Sequence, residues 1–183
     1  AAISNLLLAT GNYRRPGAGA YPLRGHNNVQ GACDMGSLPG WLPGYQHVTD
    51  DVARQKFEQA YGVNIDDKPG LDNIQMLHAV EEDIMKAMYI VGEDMALVDS
   101  NANYVHDVLS KLDFLVVQDV FFSRTAQYAD VILPAVPSLE KDGTFTNQER
   151  RLPRLYKALP AMGQARADWV FFQEIQNPPG SNG

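Results

Sequence analysis

Three apolar segments decide the fold: residues 87–91 read AMYIV, residues 114–117 read FLVV and residues 130–133 read DVIL. Each is nearly continuously apolar, a pattern typical of parallel strands that are covered on both faces. Between the first two segments, apolar residues recur at helical spacing from Ala102 to Leu112. The alternation of strands and helices predicts an α/β fold with a doubly wound, Rossmann-like parallel sheet.

Composition divides the chain into three parts. Residues 1–48 combine the end of a helix with a long irregular loop region that is rich in glycine and proline. Residues 49–137 form the α/β part, which begins with a helix whose cap is expected at Thr49. Residues 138–183 are expected to form short strands, a final helix over residues 168–176 and a flexible tail.

Size and charge exclude several classes of protein. A chain of 183 residues is as long as one ordinary domain, and its net charge of −7 argues against nucleic-acid binding. Its one cysteine, Cys33, excludes a disulfide framework and an all-cysteine metal site built by this chain alone. No apolar run approaches the roughly 18 residues of a membrane-spanning helix, so no direct membrane insertion is expected.

Polar residues follow two of the predicted strands, at the edge where ligands bind in open parallel sheets. Gly92-Glu93-Asp94 follows the first strand and Gln118-Asp119 follows the second. The Asp94 carboxylate could accept two parallel N–H bonds, as from the edge of a guanine, or it could simply cap the following turn. No Gly-x-Gly-x-x-Gly or Walker motif is present, so an ordinary dinucleotide or ATP site is not expected.

The loop region holds a candidate anion ligand. Arg24 lies between Pro22 and Gly25, where its guanidinium could bind a small carboxylate through two donors or clamp loop carbonyls. His26 could donate or relay a proton, or serve only as a structural hydrogen-bonding group. Cys33 has no evident partner base, which favours a packing role over a nucleophilic one.

Seven stretches of the chain match one family pattern. They are residues 7–12 (LLATGN), 15–17 (RPG), 22–36 (PLRGHNNVQGACDMG), 92–94 (GED), 117–119 (VQD), 129–134 (ADVILP) and 140–147 (EKDGTFTN). Together they resemble the catalytic subunit of molybdenum- or tungsten-dependent formate dehydrogenases, within the molybdopterin oxidoreductases. The likeness runs from residue 1 to about residue 176, and the stretch 22–36 is the part specific to formate dehydrogenases.

The resemblance implies a cofactor and site residues. Such enzymes bind bis-molybdopterin guanine dinucleotide (bis-MGD) with molybdenum or tungsten, oxidise formate to carbon dioxide and pass electrons to a 4Fe–4S cluster. Arg24 matches the arginine that orients formate beside the metal. Asp94, Gln118 and Asp168 match residues that contact the guanine dinucleotide. Arg24 itself is also included among the cofactor-binding residues, as is its neighbour His26, at a position that is glutamine in many relatives.

The resemblance also implies an internal fragment of a longer subunit. The cluster cysteines, the metal-ligating cysteine or selenocysteine and a further cofactor domain would lie outside it, and the chain alone would be inactive. Its partners would be formate, the remaining domains of the subunit and electron-transfer subunits, in the cytoplasm or alternatively the periplasm. Two alternatives stay open: a relative without cofactor that serves as a structural subunit of an electron-transfer complex, and a molybdopterin enzyme for another substrate.

Overall fold

The computed structural model describes residues 1–177, so the tail expected at the C-terminus, residues 178–183, lies outside the described residues. The α-helices, in chain order, are α1 (Ala2–Ala9), α2 (Val29–Asp34), α3 (Asp51–Tyr61), α4 (Asn73–Glu81), α5 (Met95–Val98), α6 (Ala102–Leu109) and α7 (Asp168–Gln176). The β-strands are β1 (Trp41–Leu42), β2 (Gln46–His47), β3 (Ala87–Val91), β4 (Phe114–Asp119), β5 (Val131–Pro134), β6 (Gly143–Thr144) and β7 (Arg154–Leu155). Two 3₁₀ turns cover Thr125–Tyr128 and Ser138–Glu140.

A parallel sheet of three strands, in the order β3-β4-β5, forms the centre of the α/β part. Met88 pairs with Leu115 and Ile90 pairs with Val117 across β3 and β4, so four apolar side chains share one face. All three strands coincide with the apolar segments of the sequence to within two residues. The expected α/β fold is therefore confirmed.

Helices cover the two faces of the sheet unequally. On the first face, α4, α5 and α6 pack on the strands, and Val105, Val108 and Val117 are completely buried. Burial of such a side chain stabilises the fold by about 1.5–3 kcal/mol. On the second face, α7 places the Phe172 ring 5.9 Å from the Tyr89 ring. The core therefore lies on the first face.

The N-terminal part is less irregular than the sequence suggests. Residues 10–28 contain no helix or strand, as expected, but α2 follows at Val29 and a short antiparallel ladder pairs Trp41 with His47. A helix of six residues is too short for its apolar residues to establish a periodicity, which is why the pattern did not indicate it.

Helix ends follow local capping chemistry. The side chain of Asp50, not that of the expected Thr49, accepts hydrogen bonds from the backbone N–H groups of Val52 at 2.9 Å and Ala53 at 3.1 Å at the start of α3. The helix ends at Gly62, which adopts a φ of 69°. Within residues 1–177, no helix combines the length and apolar character needed to cross a membrane.

The C-terminal part contains the short strands that the sequence predicts. β6 pairs with β7 in antiparallel register, and α7 covers the residues expected for the final helix. Its first residue, Asp168, lies in the first turn, where a carboxylate interacts favourably with the helix dipole.

Candidate functional site

Asp94 follows β3 in a turn that requires a left-handed residue, and Gly92 supplies it with a φ of 64°. The Oδ1 atom of Asp94 accepts hydrogen bonds from the backbone N–H of Thr125 at 2.8 Å and from its hydroxyl at 2.7 Å. Oδ2 accepts the backbone N–H of Arg124 at 3.1 Å. Within residues 1–177 the Asp94 side chain makes no capping hydrogen bond to α5, so the alternative in which it caps the following turn is wrong.

These hydrogen bonds stabilise the charged form of Asp94. Partial burial alone would raise the pKa of this carboxyl, but the bonds from Thr125 and Arg124 outweigh burial and lower the pKa below its usual value. The Thr125 hydroxyl also accepts the backbone N–H of Ala96 at 3.0 Å. Asp94 is therefore an anion that ties the end of β3 to the segment after β4.

A second polar cluster lies at the end of β4 and combines side chains from four parts of the chain. Gln118 is completely buried, and its Nε2 atom donates a hydrogen bond of 2.6 Å to Oδ1 of Asp168. The hydroxyl of Tyr89 donates to Oε1 of Gln118, and the Nζ atom of Lys141 contacts Oδ2 of Asp168. Because the carboxylate can only accept and the hydroxyl donates, the Gln118 amide has one fixed orientation.

In this cluster the positive charge of Lys141 balances the negative charge of Asp168, and both groups remain partly exposed to solvent. The side chains of Lys141 and Asp168 are 28% and 32% exposed. Burial, followed by the negative charge of Asp168, raises the pKa of Tyr89, so its phenol stays protonated and able to donate. A polar ligand can reach the solvent-facing side of this ion pair.

Arg24 lies at a separate cavity of about 500 Å³, here named the Arg24 cavity, whose walls come from residues 20–30 and 146–148. Its side chain is exposed, and within the described part of the chain its guanidinium forms no salt bridge. A guanidinium that faces an open cavity suits a carboxylate ligand, which it can hold through two parallel N–H donors.

His26 connects this cavity to the end of the sheet. Its Nε2 atom lies 3.3 Å from Oε2 of Glu93, in the turn after β3. The two side chains are 69% and 37% exposed, so the pair contributes little to stability. The contact nevertheless brings residues 10–28, here named the Arg24 loop, beside the turn that contains Asp94.

Thr146 contributes an unsatisfied hydroxyl at the wall of the Arg24 cavity. The residue is 6% exposed, and its buried Oγ1 atom has no hydrogen-bond partner among residues 1–177. Its backbone N–H, by contrast, donates to Oδ1 of Asn28 at 3.0 Å. A buried hydroxyl without a partner costs about 1–3 kcal/mol.

The structure thus brings the expected site residues together in two groups. Gln118 and Asp168 are directly hydrogen-bonded, whereas Arg24 and His26 line one cavity. Asp94 belongs to the turn that His26 contacts through Glu93. Among residues 1–177, no three His, Cys, Asp or Glu side chains converge to hold a metal ion.

Several partners of these residues were not found from the sequence. Tyr89 lies inside an apolar strand, and Thr125 and Lys141 lie in irregular segments where their spacing indicates no common site. Lys141 does fall within the family motif of residues 140–147, and that motif is the one signal that could have drawn attention to it.

The family match covers the whole described chain. Residues 1–177 match the molybdopterin oxidoreductase family. The chain belongs to this family. The resemblance seen in the sequence motifs is thereby confirmed, and the family implies a molybdopterin cofactor for the protein.

Two proteins from Bacillus subtilis (strain 168) are similar in sequence to this molybdopterin oxidoreductase chain. One, named "Putative formate dehydrogenase YrhE", is 80% identical over 182 residues, which is 100% of this chain but 19% of that protein. The other, "Probable oxidoreductase YjgC", is 58% identical over 180 residues, 98% of this chain and 18% of that protein. The chain therefore spans about a fifth of the length of these relatives.

A solved structure supports the fold. Acetylene hydratase from Pelobacter acetylenicus superposes with a TM-score of 0.52 and 21% identity, over 67% of this chain and 18% of that one. At this level of identity the likeness concerns the fold alone.

Proposed function

We propose that this chain is part of the catalytic subunit of a formate dehydrogenase, where it orients formate and binds part of a bis-MGD cofactor. The observation that carries the proposal is the Arg24 cavity: Arg24 lines this open space, and its guanidinium has no salt-bridge partner among the described residues. The relative that is 80% identical and bears a formate dehydrogenase name supports the same substrate.

Formate fits the chemistry of this cavity. Oxidation breaks its C–H bond and releases carbon dioxide, one proton and two electrons. A bidentate contact between Arg24 and the two carboxylate oxygens leaves the C–H bond pointing away from the guanidinium. The cavity is larger than one formate requires, which leaves room for part of the cofactor. Thr146 and His26 also line this cavity.

The second group of residues suits the guanine end of the cofactor. A guanine base presents adjacent N–H donors, and a carboxylate such as Asp168 can accept both. Gln118 and Lys141 hold that carboxylate from the protein side. Oδ2 of Asp94 accepts a single hydrogen bond and keeps acceptor capacity for a further donor. When bound, the cofactor, with molybdenum or tungsten, would accept the two electrons of formate.

The remaining parts of the proposal concern the longer protein. The electrons would leave through a 4Fe–4S cluster that other segments of the subunit hold, and from there to electron-transfer subunits. The other domains of the subunit would complete the cofactor site. The compartment that we propose is the cytoplasm.

The test is a substrate assay of the full-length protein. We expect formate-dependent reduction of an artificial electron acceptor, and for Arg24→Ala a loss of about 10²-fold or more in kcat/KM, because a transition-state contact is removed. Arg14→Gly is the matched control, since it removes a guanidinium from the same loop at a φ of 60° that glycine adopts without strain.

Three outcomes would contradict the proposal. Unchanged kinetics in Arg24→Ala would remove the assigned role of Arg24. Turnover of another small molecule in place of formate would make the protein a molybdopterin enzyme of different specificity. A full-length protein that carries neither pterin nor metal would favour a structural subunit without cofactor.

A further inference from the structure

The Arg24 loop is held to the rest of the chain by few side-chain contacts. Within the described residues, polar side-chain contacts, here called tethers, link residues 20–28 to the rest of the chain. They are the His26–Glu93 contact, a 3.5 Å hydrogen bond from Gln148 to the carbonyl of Pro22, and the hydrogen bonds of the Asn28 amide. The first is exposed and the second is at the distance limit of a hydrogen bond. Asn28 is therefore the strongest of these tethers.

The Asn28 amide binds two backbone groups of a distant segment. Its Nδ2 atom donates to the carbonyl of Thr144 at 3.2 Å, and its Oδ1 atom accepts the N–H of Thr146 at 3.0 Å. Both partners are more than a hundred residues away along the chain. One amide thus pairs with alternate residues of an extended segment, as the backbone of a neighbouring strand does.

The Asn28 side chain binds residues 144–146 and does not cap α2, the helix that follows it. Asn28 occupies the N-cap position of α2, where asparagine normally accepts a hydrogen bond from the first turn. No such capping bond is formed among the described residues. An amide supplies one donor and one acceptor side by side, a combination that serine, threonine and ionised aspartate lack. The long-range contact therefore accounts for this residue type better than capping does.

Gly31 provides the space that the Asn28 side chain occupies. A Cβ atom at Gly31 would lie 2.3 Å from Oδ1 and 2.9 Å from both Cγ and Nδ2 of Asn28. The three heavy atoms nearest to this point all belong to the Asn28 side chain. The residue has no positive φ, so glycine is required here for space and not for backbone conformation.

We propose that Asn28 is a positioning residue that fixes the Arg24 loop on residues 144–146, with Gly31 as the glycine that makes room for it. The proposal rests on the proposed function, because it is through Arg24 that the position of the loop would affect formate. Release of the tether leaves only part of the protein with Arg24 in its binding position, which raises the apparent dissociation constant by the inverse of that fraction.

The expected result for Asn28→Ala in the full-length enzyme is a rise in KM for formate of about tenfold, since two neutral hydrogen bonds are lost. We expect kcat to change by less than about twofold, because saturating formate restores the bound position. Asn28→Ser should show the same rise in KM. Because serine is a good N-cap residue, this variant separates loss of the tether from loss of helix capping. Pterin content should stay unchanged in both.

Gly31→Ala supplies the decisive comparison, because it displaces the amide without altering it. It should reproduce the tenfold rise in KM, and the double variant N28A/G31A should be no worse than Asn28→Ala alone, since the clash disappears with the amide. Gly19→Ala is the matched control, because the atoms nearest to its Cβ belong to Tyr21 and lie at an ordinary contact distance of 3.9–4.0 Å.

Additive effects in the double variant, or a loss of kcat and pterin together, would overturn the positioning role. Unchanged KM in Asn28→Ala, alongside a strong defect in Arg24→Ala, would overturn this inference and leave the proposed function standing. Unchanged kinetics in Arg24→Ala itself would instead remove the proposed function.

Discussion

The sheet region, residues 87–136, and the Arg24 loop, residues 10–28, meet at the His26–Glu93 contact, yet different forces hold them. In the sheet region, Leu115 and Val117 belong to a continuous apolar core with α4, α5 and α6. In the loop, none of residues 10–28 is buried, and hydrogen bonds and the His26–Glu93 contact link it to the rest of the described chain. Apolar burial is spread over many residues, whereas the position of Arg24 depends on a few hydrogen bonds. A single substitution can therefore move the loop while the sheet stays folded.

The largest expected effect is in the sheet. Leu115→Ala removes a side chain that is 1% exposed and should destabilise the region by about 2–5 kcal/mol, because a cavity remains. Hydrogen–deuterium exchange of residues 86–119 in the full-length protein measures it. Val52→Ala, at a residue that is 80% exposed in this chain, is the control. Equal exchange in the two variants would contradict an apolar origin of the stability.

An intermediate effect is expected where the sheet meets the site. Asp94→Asn weakens the bonds to Thr125 and Arg124 and should cost about 1–3 kcal/mol locally. Because the folded pKa of Asp94 is lowered, its contribution is complete above the unfolded pKa of about 3.9 and is lost as the pH falls through the folded value. Acidification from pH 6 to pH 3 should therefore loosen the wild-type turn more than the variant.

The measurement is hydrogen–deuterium exchange of the peptide around residues 120–128, corrected for the intrinsic pH dependence of exchange. Asp119→Asn serves as the control, because it changes a nearby carboxylate that accepts a hydrogen bond from the backbone N–H of its neighbour Val120. An acid response that is the same in wild type and Asp94→Asn would show that another carboxyl governs this turn.

The smallest effect is expected at the exposed His26–Glu93 contact. Glu93→Gln removes the charge that faces His26, and an exposed pair contributes only about 0–1 kcal/mol. KM for formate should rise less than about fivefold, clearly less than in Asn28→Ala. The KM values of the two variants, measured under the same conditions, show which contact does more to hold the loop. A larger rise in KM for Glu93→Gln than for Asn28→Ala would contradict the prediction.

The same contrast explains what the sequence could predict. The sequence predicts β3, β4 and β5 to within two residues, because continuous apolar runs of this length are typical of buried parallel strands. The six residues of α2 and the two-residue strands β1 and β2 were missed because such short elements are held by distant contacts, which leave no periodic pattern.

For the site, the motifs indicated Arg24, His26, Asp94, Gln118 and Asp168, but not their partners. The contact of Gln118 with Asp168 joins residues that are 50 positions apart, and Lys141 joins them from a third segment. Spacing along the chain carries no information on such pairs. Asn28 lies within the family stretch 22–36, but its partners Thr144 and Thr146 are more than a hundred residues away, so the sequence did not indicate its contact.

The central proposal is that Asp94 and Gln118 in the sheet region, together with Asp168 of α7, contact the cofactor, whereas Arg24 in the loop contacts the substrate. The guanine nucleotide released per polypeptide from full-length Asp168→Asn and Arg24→Ala tests it most directly. We predict that Asp168→Asn loses about tenfold or more of its nucleotide under limiting cofactor, because a charged acceptor is removed, while Arg24→Ala retains the wild-type amount. Equal nucleotide content in the two variants would contradict the claim.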